Sequence, residues 1–103
     1  MNRLEKIREL LRKNPQNTFA RYGLAMEYRS QGNLELARQA FTELMDQSPE
    51  YTPLYYHLGS TLQDLGEPGE AARIFQQGIQ IAESNQDFHA RDELQAALAI
   101  LQE

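Results

Sequence analysis

The chain has 103 residues, 41% of them hydrophobic and 24% charged, a balance that supports one globular core and leaves no room for a second domain. It contains no cysteine, which excludes disulfides, thiol catalysis and cysteine-ligated metal and permits a reducing compartment. The net charge of -5 argues against a phosphate backbone as partner, because such binding is driven by clustered lysine and arginine.

The first predicted element spans residues 2–15. It carries Arg3, Lys6, Arg8, Arg12 and Lys13 but lacks the uninterrupted apolar core of a secretory signal, and Glu5 and Glu9 count against an organelle presequence. No apolar run is long enough to span a bilayer, so a soluble, cytoplasmic protein is expected. Leu4, Ile7, Leu10 and Leu11 fall on one stripe of a helix that Pro15 stops. A helix lying on a membrane would need bulkier apolar residues and a purely basic polar face.

The second and third elements form a pair. A helix is predicted from Thr18, as N-cap, to Ser30, with Gly32 as the left-handed residue that ends it. Asn33 then caps a helix from Leu34 to about Gln47, and so short a link forces an antiparallel hairpin. This stretch, residues 18–51, is written again as 52–85. A shift of thirty-four positions lays Pro15 on Pro49, Thr18 on Thr52, Tyr22 on Tyr56, Leu24 on Leu58, Gly32 on Gly66, Ala37 on Ala71 and Phe41 on Phe75. A fixed period of this length signals stacked supersecondary units. In the second copy Thr52 precedes Pro53, the order expected at an N-cap and first helical position.

Packing gives the repeated residues a reason. Ala37 and Ala71, with Ala25 and Gly59 opposite, let the two backbones of a hairpin approach, while Phe41 and Phe75 fill the space between units. Leu24, Tyr28, Leu44, Met45, Leu58, Leu62, Ile74 and Ile79 complete the predicted interior. Ile7, Leu10 and Leu11 align with Phe41, Leu44 and Met45, so the N-terminal helix reads as the second half of an earlier unit. Residues 86–103 place Ala90, Leu94, Ala97 or Leu98, and Leu101 at helical spacing but leave the period, because Asp92 and Glu93 would land on the buried pair. They are expected to form a shifted capping helix whose end Phe88 and Ile100 help to seal. Six helices result, in an all-α fold.

These residues resemble the tetratricopeptide repeat family, whose pattern stands here as Arg21, Leu24, Ala25, Tyr28, Ala37, Phe41 and Pro49, and again as Tyr55, Leu58, Gly59, Leu62, Ala71, Phe75 and Glu83. Arg21 replaces an aromatic and Glu83 a proline. Arg21 is expected to lay its stem over the core with its head in water. The resemblance implies a short right-handed solenoid of antiparallel helix hairpins.

No catalytic constellation emerges. His57 and His89 are the only histidines and have no metal-motif spacing to carboxylates, which leaves His57 as a surface or groove-edge residue. Gly66, Glu67, Pro68, Gly69 and Glu70 form an interhelix turn, because no strand precedes them and no Lys-Ser or Lys-Thr follows. No enzyme activity, cofactor or metal is therefore expected.

The first helix of each unit has more apolar surface than one packing face uses. In the family these helices line the concave surface of the superhelix. The resemblance thus implies a peptide-binding groove of Phe19, Tyr22, Met26 and Arg29 from one helix and Tyr56, Ser60 and Gln63 from the next. Aromatics, Met and Arg are the types enriched in interface cores. The alternative is that Phe19 and Tyr22 pack on the neighbouring first helix as core. The clamp that holds chaperone C-terminal carboxylates uses Lys and Asn where Tyr22 and Met26 stand, so an apolar peptide or helix of another protein is the expected partner, not nucleic acid or a membrane. The second reading is a self-associating segment, or a part of a longer scaffold, whose exposed ends or groove meet another copy.

Overall fold

The helices start and stop where the sequence supplies partners for their orphan backbone groups. The computed structural model describes residues 1–103 and contains six helices and no strand: α1 (Arg3–Lys13), α2 (Thr18–Ser30), α3 (Leu34–Gln47), α4 (Pro53–Asp64), α5 (Pro68–Ser84) and α6 (Phe88–Leu101). Asn2, Asn17 and Asp87 cap α1, α2 and α6, their side chains accepting from the backbone N–H three residues on at 2.8, 3.0 and 3.1 Å. The cap of α2 is thus Asn17, one residue before the expected Thr18. The Thr18 hydroxyl lies instead 2.9 Å from that of Ser48 at the end of α3, tying the two ends of the hairpin together. Thr52 and Asn33 hold the N-cap positions of α4 and α3 without a side-chain cap bond; the Thr52 hydroxyl accepts from Asn85 instead.

Three hairpins turn through one motif. After α2 the N–H of Asn33 reaches Tyr28 O and that of Gly32 reaches Arg29 O; Glu67 to Leu62 with Gly66 to Gln63, and Asp87 to Ala82 with Gln86 to Glu83, repeat the pattern. The motif needs a left-handed residue, supplied by Gly32 (φ 77°) and Gly66 (φ 79°), and in the third turn by Gln86 (φ 59°). So α5 and α6 form a hairpin of their own.

The core follows the repeat. Ala25, Ala37, Ala71, Phe41, Phe75, Leu44, Leu54 and Tyr55 are fully buried. A Cβ added to Gly59 would lie 2.6 Å from Phe75 Cδ1, and one added to Gly78 would lie 3.0 Å from Leu94 Cδ1, so α4–α5 and α5–α6 both close over a bare backbone. Ala90, Ala97, Leu98 and Leu101 pack against this core, as expected, but Phe88 and Ile100 do not seal its end: they are 51% and 63% exposed. The reason is rotational, since in α6 both stand on the side away from Leu94. Leu10 is also half exposed, because no helix covers the side of α1 that Leu44, its counterpart, buries in α3. Arg21 does not end in water: its Nε donates to Pro15 O at 2.7 Å and its Nη1 lies 3.4 Å from Glu43.

The chain winds as a flattened body of 43 × 29 × 19 Å in which α2, α4 and α6 touch in sequence while α1, α3 and α5 do not touch one another. A row of helices in contact lies on the inside of a curve and a splayed row on the outside. The first helices therefore make the inner face.

Candidate protein-interaction groove

Each first helix meets its neighbour through side chains that point neither into the core nor fully into water. Between α2 and α4, Tyr22 sets its ring edge-on to Tyr51 and His57, centroids 5.3 and 5.9 Å away, with Phe41 at 6.4 Å. Burial in this cluster pushes the Tyr22 hydroxyl above the usual tyrosine range. Burial also holds His57 below the usual imidazole range, helped by the Arg29 guanidinium and opposed by Glu93. The His57 ring is half-buried between this cluster and the cleft on the other side of α4. Arg29 donates to Thr61 Oγ1 at 3.1 Å and pairs with Asp64 at 2.9 Å, bridging α2 to α4.

The seven predicted groove residues accordingly separate. Phe19 (79% exposed), Tyr56 (39%) and Gln63 are open to solvent, and Ser60 and Met26 are half-buried, Met26 resting against the core. Tyr22 and Arg29 are spent on the α2–α4 junction. Phe19, in contrast, packs on nothing that covers it.

Between α4 and α6 the surface opens into a cleft of about 330 Å³, walled by Pro53 and Tyr56 on one side and His89, Ala90 and Glu93 on the other. The α6 wall lies outside the predicted site. Its signal is in the chain: Leu54, Leu58 and Leu62 return as Ala90, Leu94 and Leu98 after thirty-six positions instead of thirty-four. α5 runs three residues longer than α3, and the link after it is two residues shorter.

A larger cavity, about 630 Å³, lies on the outer face between α3 and α5 over Leu58 and Leu62. It is spanned by Arg38, which pairs with Glu67 at 2.9 Å and with Glu35 on its own helix. No three of the chain's His, Asp and Glu side chains converge as a metal site, and no buried side-chain polar atom lacks a partner. No helix is long and apolar enough to cross a membrane.

The chain is similar to known proteins along most of its length. The family model described as tetratricopeptide repeat matches residues 28–98. The TPR repeat-containing protein PA0015 of Pseudomonas aeruginosa is 28% identical over 91 residues, 88% of this chain and 87% of that protein. A tetratricopeptide repeat domain protein from Salinibacter ruber, solved by NMR, superposes with a TM-score of 0.81 at 33% identity, covering 85% of this chain and 89% of its own. PcrH, solved in complex with the chaperone binding region of PopD, has a TM-score of 0.89 over 96% of this chain and 75% of its own; at 16% identity it shares the fold alone. With the helix hairpins, their repeated turn and the matched residues all in agreement, the chain belongs to the tetratricopeptide repeat family.

Proposed function

We propose that the protein is a non-catalytic interaction module whose inner face, lined by α2, α4 and α6, docks a segment of another protein through apolar contacts. One observation carries this reading: Phe19 is 79% exposed and Tyr56 39% exposed on the inner row of helices, although the chain's own core is closed without them. Large aromatics left open beside a groove are the side chains that dominate binding when a partner covers them. Members of this family are generally non-catalytic interaction modules, and PcrH, with the same fold, holds a region of another protein. Met26 and Ser60 complete the floor of the docking surface, with Gln63 at its rim.

Self-association through the α1 end has an obstacle. In the thirty-four-residue register Arg3 and Lys6 of α1 stand where α3 has the buried Ala37 and Ala40. A further helix could not approach α1 as α2 approaches α3 without burying two cations.

The test is a random dodecapeptide display library panned against the whole chain, followed by binding of selected peptides to variants. Phe19→Ala with Tyr56→Ala should weaken binding by at least about tenfold, roughly 1.4 kcal/mol, with helicity unchanged by circular dichroism. Peptides that bind the double variant as well as the parent would place the docking surface elsewhere and overturn the proposal.

A further inference from the structure

The two junctions between inner helices are built from the same repeat positions and are filled differently. In the first, Tyr22 meets Phe41 with centroids 6.4 Å apart; one unit on, their counterparts Tyr56 and Phe75 are again 6.4 Å apart. The first junction is then plugged by two more rings, Tyr51 from the link and His57 from α4. The thirty-six-residue shift that maps Leu54, Leu58 and Leu62 onto Ala90, Leu94 and Leu98 carries Tyr51 to Asp87 and His57 to Glu93. Two carboxylates therefore stand where two rings stood, and the space the rings fill in the first junction is the open α4–α6 cleft in the second.

Neither carboxylate is neutralised by the chain. Asp87 uses one oxygen to cap Ala90 N and makes no ion pair. Glu93 faces two histidines: His89 Nε2 at 3.7 Å, which is cationic only when protonated, and His57, whose ring also lines the cleft and which burial and Arg29 hold toward the neutral form. Arg91 is turned away, paired with Asp92 at 2.9 Å and lying over the Phe88 ring. In the first junction Arg29 matches Asp64, but the counterpart of Arg29 in the second copy is Gln63. The second junction has the acids and the aromatic wall without the arginine.

We propose that the α4–α6 cleft receives an arginine side chain of the partner segment, its guanidinium set between the Tyr56 ring and the carboxylates of Asp87 and Glu93, an inference that rests on the groove being the docking surface. A guanidinium meets all three demands of the space. Its planar fork donates to carboxylates, its face stacks on an aromatic ring, and its stem covers apolar surface such as Pro53 and Ala90. An apolar side chain would fill the volume but desolvate two carboxylates with nothing to replace water. A lysine supplies the charge without the fork. The groove thus selects a segment with an apolar stretch toward Phe19 and Met26 and an arginine toward α6.

The probe is N-acetyl-arginine amide titrated into the isotopically labelled chain, with N-acetyl-citrulline amide as the uncharged isostere. Saturable amide shifts are expected at Tyr56, Asp87, Ala90 and Glu93, with citrulline at least about tenfold weaker because it cannot form the charge-assisted pair. Asp87→Asn with Glu93→Gln should abolish the preference, and because Asn is also a good N-cap the helix should be retained. Equal response to citrulline, shifts scattered over the surface, a non-saturating response, or a preference that survives in the double variant would each overturn the proposal. This experiment needs no selected peptide, so it can fail while the Phe19 and Tyr56 result stands, and the reverse.

Discussion

His57 shows how one position can be a packing residue whose ionisation matters. Its ring lies among Tyr22, Tyr56 and Phe41, and burial with the nearby Arg29 lowers its pKa. The folded chain therefore prefers neutral His57, while the unfolded chain takes the proton at about pH 6.5. Stability from this residue is complete above about pH 6.5 and is lost as the pH falls from there through the lower folded value. Other groups face the ring: Arg29 opposes the proton and Glu93 favours it, and the depressed carboxyls of Glu9 and Glu70 change charge only in more acid solution. Urea denaturation at pH 7 and pH 5 should show a loss on acidification that His57→Phe removes; an unchanged slope in the variant would assign the loss to another group. A second residue tests the turns. Gln86 holds φ 59° where the two equivalent turns use glycine. Gln86→Gly should stabilise the chain by about 0.5–1 kcal/mol, the relief of left-handed strain less the glycine's unfolded-state entropy, read as a raised melting temperature.

At the scale of elements, the start of α2 separates a cap from a clip. Asn17 satisfies Ala20 N, while Thr18 links its hydroxyl to Ser48 on α3. Asn17→Ala should cost about 1 kcal/mol by leaving a helix donor unsatisfied, and Thr18→Ala made together with Ser48→Ala should cost less, since it removes both hydroxyls of the pair and exposes no helix N–H. Denaturant midpoints of the two variants decide the order, and a larger loss for the double variant would reverse the assignment. The alignment of Thr18 with Thr52 holds, yet it does not make Thr18 the cap. What differs is the chain before it: Asn17 has a side chain able to accept from the N–H three residues on, whereas its counterpart, Tyr51, has not. The groove divides in the same way. Phe19, Met26, Tyr22 and Arg29 are equally prominent in the sequence of α2, but the path of α4 takes Tyr22 and Arg29 into the junction and leaves Phe19 outside.

At the scale of the molecule, the stack is unevenly held. α1 packs on α2 alone and buries one residue, Ile7, while α4 packs on α2, α3, α5 and α6. In a solenoid, stability is a sum over neighbouring interfaces, so an end helix with one interface opens first. An eleven-residue helix has little stability once detached. Hydrogen exchange should therefore find α1 amides exchanging fastest and those of α4 slowest. Ile7→Ala should free α1 while the α4 and α5 amides keep their protection; simultaneous exchange of α1 and α4 would show one cooperative unit instead.

The six helices, the two glycine turns, the repeated small and aromatic core positions and the family are legible in the sequence, because each is a local demand or a demand that recurs at a fixed interval; the third turn is not, since Gln86 stands where the others have glycine. Gly32 and Gly66 are required by turn geometry, and Ala37, Ala71, Phe41 and Phe75 by the spacing of stacked helices. Which inner-face side chains stay free is set by the packing of the helices. That choice depends on how far each helix is rotated and how long its predecessor runs, and neither is written at the position concerned. Residues with the same period can thus differ in role: Tyr22 is closed in by Tyr51 and His57, while Tyr56, its copy, faces a cleft because α6 presents Asp87 and Glu93 where α4 presents two rings.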